Sequence, residues 1–266
     1  MSHKILFLHF GGQCPWIPWA EEQCRQAAVE LNAEFTTIDV TFQPELAAQY
    51  RMLSSMLTVI DDHICLPAPT PAKRLVSWAE KPQKTGCVKF QPWQPQRIAE
   101  QIVPFNPRRL VEACALCNMV PSTQGLEIKQ AWINSIMDHH PGETGLCAIH
   151  HDQVVSVVEY LPADLIPYAL PKKSNQAAFI TCLYAQSDSD QPLYDCRGQL
   201  LDALADNLRG KYRSLLVISG ENTAYPNGPR GLFTAHGFQT LQALDEIILS
   251  DGIERCLLME RILPPG

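Results

Sequence analysis

Short apolar runs followed by helical repeats constrain the fold of this chain more than any other feature. Residues 5–10, 177–186 and 213–220 are mainly apolar, without a polar residue at every second position. Such runs are typical of strands that are covered on both faces. Apolar residues at helical spacing follow the first two runs, at Ala20, Cys24, Ala27, Ala28 and Leu31, and at Leu200, Leu201, Leu204 and Leu208. Strands that alternate with helices in this way predict an α/β protein.

The length and charge of the chain limit its class. Its 266 residues suit two domains, and 46% apolar residues are enough to bury two cores. A net charge of -7 argues against a nucleic-acid or anionic-membrane partner, since either would need a basic face. We see no secretory signal and no run long enough to span a bilayer. Ten cysteines in such a sequence are typical of free thiols, and we expect a cytoplasmic protein.

Turn and breaker residues divide the chain into two expected domains. Residues 1–80 show the order strand, helix, strand, hairpin, helix, which predicts a small α/β domain. Residues 81–107 hold five prolines, a density that opposes regular structure and indicates a linker. Residues 108–266 show two helices, a hairpin, a strand, a helix, a strand, a short helix and a last hairpin.

Five short motifs follow one another along the expected second domain. They are CAL at 114–116, KQAWI at 129–133, VEYLPA at 158–163, ITCLYAQS at 180–187 and GLFTAHGF at 231–238. Together with the order of elements, they resemble the GNAT superfamily of acyl-CoA-dependent N-acyltransferases, and within it the YoaP-type branch. The resemblance implies a central mixed, mostly antiparallel sheet flanked by helices. It also implies acetyl-CoA as donor and a small-molecule or peptide amine as acceptor. In a non-catalytic protein, the cleft would instead hold another ligand or a partner protein.

The resemblance implies a place for the donor on the central strand and the helix after it. In the family, the backbone of this strand pairs with the pantetheine arm, and a loop Q/R-x-x-G-x-G/A turns N–H groups toward the pyrophosphate. This sequence departs from that loop, because Tyr194 and Cys196 replace the glycines when Gln191 is the first residue. Three aspartates also make the loop acidic. The implied donor-binding positions are Leu183, Tyr184, Ala185, Gln191, Cys196, Arg197 and Gly198.

The same resemblance implies catalytic positions. Glu159 lies on the strand beside the expected cleft, where a carboxylate can take a proton from an amine. Phe233 occupies the place where many GNAT enzymes have a tyrosine that protonates the leaving thiolate, so Tyr184 or Tyr225 would have to replace it. Cys182 would face the thioester as a nucleophile or acceptor. The alternatives are a surface carboxylate for Glu159 and a buried structural thiol for Cys182.

The motif GGQCPW at residues 11–16 places a cysteine between a strand and a helix. YoaP-type proteins carry a thioredoxin-like domain with a QCP motif, and residues 1–80 resemble that domain, here in reversed order. A helix N-terminus lowers the pKa of a thiol, so thiolate character is expected at Cys14. Ile17 stands where a dithiol motif needs its second cysteine. Cys24 would lie about 15 Å away along a helix, so dithiol exchange is not expected.

The cysteine and histidine patterns predict no metal site. Cys114 and Cys117 form a single C-x-x-C without a second pair at zinc-finger spacing. Two histidine pairs, at 139–140 and 150–151, flank a predicted strand. They would lie some 20 Å or more apart and therefore cannot share one ion.

Three functions stay open from the sequence. The first is an N-acyltransferase that moves an acetyl group from CoA to an amine. The second is a non-catalytic binding or accessory protein, because the glycines of one module and the second cysteine of the other are both absent. The third is a monothiol-dependent protein that uses Cys14.

Overall fold

The computed structural model describes residues 3–81, 86–90, 92–93, 99–117, 122–140, 144–171, 173–188 and 191–266. These residues form an α/β structure with two sheets, one of four strands and one of eight. Within the described residues, none of the helices combines the length and the apolar character that crossing a membrane requires.

The first sheet comes from the N-terminal part of the chain and has the strand order β2-β1-β3-β4. Its strands are β1 (Lys4–His9), β2 (Glu34–Asp39), β3 (Met56–Ile60) and β4 (Ile64–Pro67). Its helices are α1 (Ile17–Leu31), α2 (Pro44–Gln49) and α3 (Ala72–Glu80). β1 and β2 are parallel, whereas β3 is antiparallel to both β1 and β4. The predicted order of strand, helix, strand, hairpin and helix is observed, with the additional short helix α2 between β2 and β3.

Helix α1 shows why the local sequence takes this form. Proline at its start suits the first turn, where the missing N–H is not needed. Its apolar residues at helical spacing are buried, apart from Leu31, which is partly buried. Asn32 ends the helix with a φ of 49°, and its N–H donates to the last carbonyls of the helix. Helices α1 and α3 cover one face of the first sheet.

The second sheet has the strand order β11-β12-β10-β8-β7-β6-β5, with β9 paired to β8. Its strands are β5 (Gln101–Pro104), β6 (Gly145–His150), β7 (Gln153–Pro162), β8 (Ala177–Asp188), β9 (Gln191–Tyr194), β10 (Ser214–Gly220), β11 (Gln239–Ile248) and β12 (Ile253–Ile262). Its helices are α4 (Leu110–Ala115), α5 (Thr123–His139), α6 (Arg197–Leu208) and α7 (Arg230–Ala235). Of the described strand pairs in this sheet, β8 with β10 is parallel and the others are antiparallel. The sheet is therefore mixed and mostly antiparallel.

Part of the segment expected to be a linker belongs to the second sheet. Strand β5 lies inside residues 81–107 and pairs with β6 at the edge of the sheet. Pro104 stands at the end of this edge strand, a place where a proline does little harm to the ladder. Val88 is also buried, and its N–H donates to Ile253 O at 3.1 Å. The ordered part of the second module thus begins before residue 108.

The two sheets share an apolar core. Helix α6 packs on one face of the second sheet, with its four leucines buried as their spacing predicted. On the other face, Phe179 and Leu216 belong to the same buried cluster as Leu8 and Phe10 of the first module. The first module therefore covers part of the face of the second sheet that α6 leaves open, and α4 and α5 cover another part of it.

Candidate functional site

Strands β8 and β10 separate part-way along their length. Their parallel pairing runs from Ala177 opposite Ser214 to Ile180 opposite Val217, and stops there. Beyond this point β8 follows β7 as far as Ala185, while β10 follows β12 to its end. A wedge-shaped opening, which we call the cleft, therefore starts directly after Ile180.

The loop of residues 221–229 forms one wall of the cleft. Asn227 Nδ2 donates to Ile218 O at 3.1 Å, and Ser219 Oγ donates to Gly228 O at 3.1 Å, which ties the loop to β10. Glu254, fully buried on β12, accepts a hydrogen bond from the N–H of Thr223 at 2.6 Å. These bonds hold the loop in place beside the cleft.

A cavity of about 130 Å³ lies where the cleft meets the first module. Thr181, Cys182 and Tyr184 of β8 line one side, and Gln13 and Cys14 of the first module line another. A cavity of about 150 Å³ lined by apolar side chains can bind benzene. The space therefore suits a small molecule of that size.

Four cysteines from distant parts of the sequence line this cavity. They are Cys14 after β1, Cys114 and Cys117 around the end of α4, and Cys182 on β8. Burial raises the pKa of all four thiols, that of Cys114 to about 12. The thiols are therefore neutral near pH 7 and form a weakly polar part of the cavity wall, which we call the thiol wall. The sequence offered no signal for this cluster, because its members come from both modules.

The expectation of a lowered pKa at Cys14 is wrong. Helix α1 begins at Ile17, so the thiol does not stand at the first turn. Burial raises its pKa, and this outweighs the lowering by the backbone N–H of Trp16 and by the charge of Lys129. Cys14 therefore lacks the thiolate character on which a monothiol function depends.

A buried ion pair of the second module lies beside the cavity and contacts the first module through Gln13. Lys129 of α5 donates to Glu159 Oε2 of β7 at 2.5 Å and to the backbone carbonyl of Gln13 at 2.5 Å. Burial alone would lower the pKa of Lys129, but the charge and hydrogen bond of Glu159 more than offset it, so the pKa lies above its usual value. Glu159 is thus no surface carboxylate: it lines the cavity with its charge balanced by Lys129.

Two tyrosines line the cavity from opposite sides of the cleft. Tyr184 lies on β8, and Tyr225 lies in the loop after β10. Burial raises the pKa of both phenols, so both keep their protons at neutral pH. The O–H of Tyr225 donates to Ser54 Oγ of the first module at 2.5 Å. Phe233 is fully buried in the core of the second module and is not part of the cavity wall.

Two polar atoms of the cavity wall have no hydrogen-bond partner within the described part of the chain. Gln13 is only 3% exposed, and its Oε1 is buried without a donor. Thr181 Oγ1 is buried in the same way. A buried acceptor without a partner costs about 1–3 kcal/mol.

The N-terminus of α6, where a pyrophosphate is expected, is occupied by a carboxylate of the chain itself. Asp195 Oδ1 accepts hydrogen bonds from the backbone N–H of Arg197 at 3.1 Å and from its Nε at 2.9 Å. Arg197 Nη2 completes the pair with Asp195 Oδ2 at 2.7 Å, and Trp93 Nε1 donates to the same oxygen at 3.2 Å. Both charged side chains are buried.

The other predicted donor-binding residues are spread around this end of β8. Leu183 is buried in the core under α6, and Ala185 pairs with Ser156 of β7. The N–H of Cys196 donates to Ser156 Oγ at 3.1 Å. Gln191 lies on β9, which pairs back onto β8.

Gly198 is closely packed at the first turn of α6. A side chain at this position would overlap the imidazole of His236. The structure therefore brings Glu159, Cys182, Tyr184, Tyr225 and Cys14 around one cavity, and leaves Arg197 and Gly198 outside its wall.

Among known proteins, similarity to this chain is found with solved structures and not with family profiles or curated proteins. The sequence matches no known protein-family profile, and no curated protein is similar to it at a significant level. Among solved structures, the chain is similar to the ribosomal-protein-S18-alanine N-acetyltransferase from Escherichia coli, with 13% identity and a TM-score of 0.43 over 62% of this chain and 95% of the other. An N-acetyltransferase from Staphylococcus aureus Mu50 gives 17% identity and a TM-score of 0.46 over 62% and 98%. The aminoglycoside 6'-N-acetyltransferase from Enterococcus faecium gives 12% and 0.43 over 62% and 98%. Similarities at this level carry no conclusion about activity or substrate.

Proposed function

We propose that this protein is an N-acyltransferase of the GNAT type that transfers an acyl group from acyl-CoA to a small amine. The observation that carries the proposal is that the cavity opens at the point where β8 and β10 separate. An acyl thioester laid along β8 would present its carbonyl carbon to a molecule held in that cavity. Proximity of this kind converts a bimolecular step into an effectively unimolecular one.

The donor in this proposal pairs with the part of β8 that β10 leaves. Residues 181–185 follow β7 on one side, and within the described residues no strand continues the sheet on the side of the cleft. The pantetheine amides would complete the hydrogen bonding of this edge. A backbone N–H near Leu183 would then stabilise the oxyanion that forms when the amine attacks.

The acceptor in this proposal is a small, mainly apolar primary amine. The cavity has the volume for a benzene-sized group, and the Lys129–Glu159 pair balances its own charge. The buried Gln13 Oε1 needs a donor, which the N–H of an amine would provide. We therefore expect arylalkyl amines with one ring to be better acceptors than peptides or aminoglycosides.

Proton transfer in this proposal uses groups that already line the cavity. Glu159 would take the proton that the amine loses as the new C–N bond forms. Tyr184 or Tyr225 would give a proton to the CoA thiolate as the C–S bond breaks, since both phenols are protonated at neutral pH. Cys182 serves as a wall residue, because burial keeps its thiol protonated.

The first module in this proposal closes the acceptor side of the cleft. We also propose that residues 1–80 have a thioredoxin-like fold and form a domain of their own, distinct from the domain of residues 108–266. Support comes from the parallel pair β1–β2, the antiparallel strands β3 and β4, and the helices α1 and α3 on one face.

An acetylation assay with a small amine tests the proposed function. The protein is incubated with acetyl-CoA and benzylamine, and N-acetylbenzylamine is measured by mass spectrometry. Product above the uncatalysed background supports the proposal, and Cys182→Met, which fills the cavity, should remove most of it. Cys87→Met changes an exposed cysteine outside the cavity and should have no effect. Absence of product with a panel of one-ring amines would contradict it.

A second candidate function is favoured by the closed N-terminus of α6. Because Asp195 already occupies the position expected for a pyrophosphate, the protein would bind a small ligand in the cavity without using CoA. In that case the amine would bind with the same affinity in the presence and absence of acetyl-CoA, and no product would form.

A further inference from the structure

A glutamate and two histidines meet at the surface, away from the cavity wall. Glu100 lies directly before β5, His150 is the last residue of β6, and His151 begins the turn into β7. The turn is tight, with φ values of 49° at His151 and 58° at Asp152. The two imidazole rings lie 4.2 Å apart between centroids.

The distances from the Glu100 carboxylate to the two imidazoles match those between neighbouring ligands of a tetrahedral metal ion. Glu100 Oε1 lies 3.3 Å from His150 Nδ1 and 3.5 Å from His151 Nδ1. Two ligands at zinc-binding distances of about 2.1 Å lie about 3.4 Å apart in a tetrahedron. One potential ligand atom from each of the three side chains lies within 4.8 Å of the other two. An ion could therefore contact all three residues with little rearrangement.

The backbone holds the carboxylate in place for this role. The N–H of Glu100 donates to Ile149 O at 2.9 Å, which fixes the residue beside β6. Its Oε2 accepts a hydrogen bond from the N–H of His151 at 3.0 Å. The other oxygen, Oε1, is the one that faces both rings. Such a bond to the free oxygen of a ligating carboxylate orients it and raises metal affinity.

We propose that Glu100, His150 and His151 form a surface site for a divalent transition-metal ion of the Zn²⁺ type. Two imidazole nitrogens and one carboxylate oxygen suit zinc, nickel or copper rather than calcium or magnesium, which prefer sites made of oxygen alone. The ligand side chains are partly exposed, so the ion keeps a fourth position for water. The bound ion ties the start of the edge strand β5 to the β6–β7 turn.

The histidine spacing in the sequence predicted no metal site, because it did not include the glutamate that lies beside His150 and His151 in the structure. The pair at 139–140 stands at the end of α5, and the pair at 150–151 stands at the end of β6. The third ligand comes instead from Glu100, about fifty residues earlier in the sequence. No spacing motif joins it to the histidines, because the contact is made by strand pairing.

The alternative explanation is two imidazolium–carboxylate ion pairs without a metal. Titration of the metal-free protein with Zn²⁺ at pH 7.5, followed by calorimetry, separates the two explanations. We expect one ion per chain with micromolar affinity. Glu100→Gln and His151→Gln should each weaken binding by about tenfold or more, because each removes a ligand.

The double variant His139→Gln/His140→Gln is the matched control and should bind Zn²⁺ like the wild type. Because thiols also bind zinc, the same proteins are titrated with Co²⁺ and followed by absorption. Visible bands without a sulfur-to-cobalt charge-transfer band in the near ultraviolet support the site. No binding, equal binding in Glu100→Gln, or a strong charge-transfer band would each overturn the proposal.

Discussion

At the scale of single residues, the Lys129–Glu159 pair sets the charge of the cavity. Both side chains are almost fully buried, and each is the ionic partner of the other. Removal of one partner from such a pair leaves an uncompensated buried charge, which commonly costs about 3–5 kcal/mol. The pair therefore also holds α5, β7 and the loop of Gln13 together.

Lys129→Met should lower the free energy of unfolding at pH 7 by about 3–5 kcal/mol. The double variant Lys129→Met/Glu159→Gln should recover part of the loss, because no charge is then left unpaired. Because the pKa of Lys129 is raised above its ordinary 10.5, the stabilisation is complete below pH 10.5 and is lost as the pH rises beyond it. Urea unfolding measures both effects, and equal stabilities of the single and double variants would contradict them.

Reactivity of Cys14 should follow its raised pKa. Alkylation by iodoacetamide should be slow at pH 7–8 and should accelerate only above pH 9, because burial raises the pKa of this thiol above its ordinary value of 9.0. Peptide mapping by mass spectrometry gives the rate at each cysteine, with the exposed Cys87 as a control for reagent activity. A rate that levels off near pH 7 at Cys14 would instead support the monothiol function.

At the scale of secondary structure, the first turn of α6 decides how a donor binds. Helix N-termini attract anions, and here the carboxylate of Asp195 already holds the first N–H and the guanidinium of Arg197. A phosphate would have to compete with this carboxylate or share Arg197 with it. Asp195, the last aspartate of the acidic loop, thus accepts the hydrogen bond of the first N–H of α6.

Asp195→Asn should bind CoA more tightly than the wild type. Removal of one negative charge about 6 Å from a phosphate is worth roughly 2–3 kcal/mol at an effective dielectric of about 20, which corresponds to about thirtyfold to a hundred-and-fiftyfold in affinity. Asp206→Asn removes the same charge at the other end of α6 and should leave the affinity unchanged. Calorimetric titration with CoA measures the effect. Unchanged affinity in Asp195→Asn would favour the non-catalytic function.

The elements themselves were predictable from sequence, because strand and helix periodicity reflects local burial. The apolar spacing of Leu200, Leu201, Leu204 and Leu208 matched the buried face of α6. Strand β5 was missed because prolines mask an edge strand. Three features of the site were not predictable from sequence. The four cysteines of the thiol wall come together through contact between the modules. The Lys129–Glu159 pair forms where α5 meets β7, and the Asp195–Arg197 pair depends on the side-chain conformations at one turn.

At the scale of the whole molecule, the two modules are joined by a shared core. They share a buried cluster, and the loop of Gly12 lies so close to α5 that a Cβ atom would be 2.6 Å from Ile128 O and 2.8 Å from Trp132 Cβ. The cavity has walls from both modules. The first module is therefore required for the shape of the cavity.

Gly12→Ala should destabilise the protein by about 1–3 kcal/mol, because the loop must move away from α5. Unfolding should remain a single transition, since the shared core couples the two sheets. Gly86→Ala is the matched control, because a Cβ atom there meets nothing within 4 Å. Circular dichroism and tryptophan fluorescence in urea follow both variants, and two separate transitions in the wild type would contradict the shared core.

In the proposed function, an acyl-CoA donor lies along β8 in the cleft. Hydrogen exchange of the backbone amides in residues 181–185, measured with and without saturating acetyl-CoA, tests it most directly. We predict slower exchange in this segment when acetyl-CoA is bound, because the pantetheine arm would complete the hydrogen bonding of the strand edge. Unchanged exchange in residues 181–185 at saturating acetyl-CoA would contradict the claim.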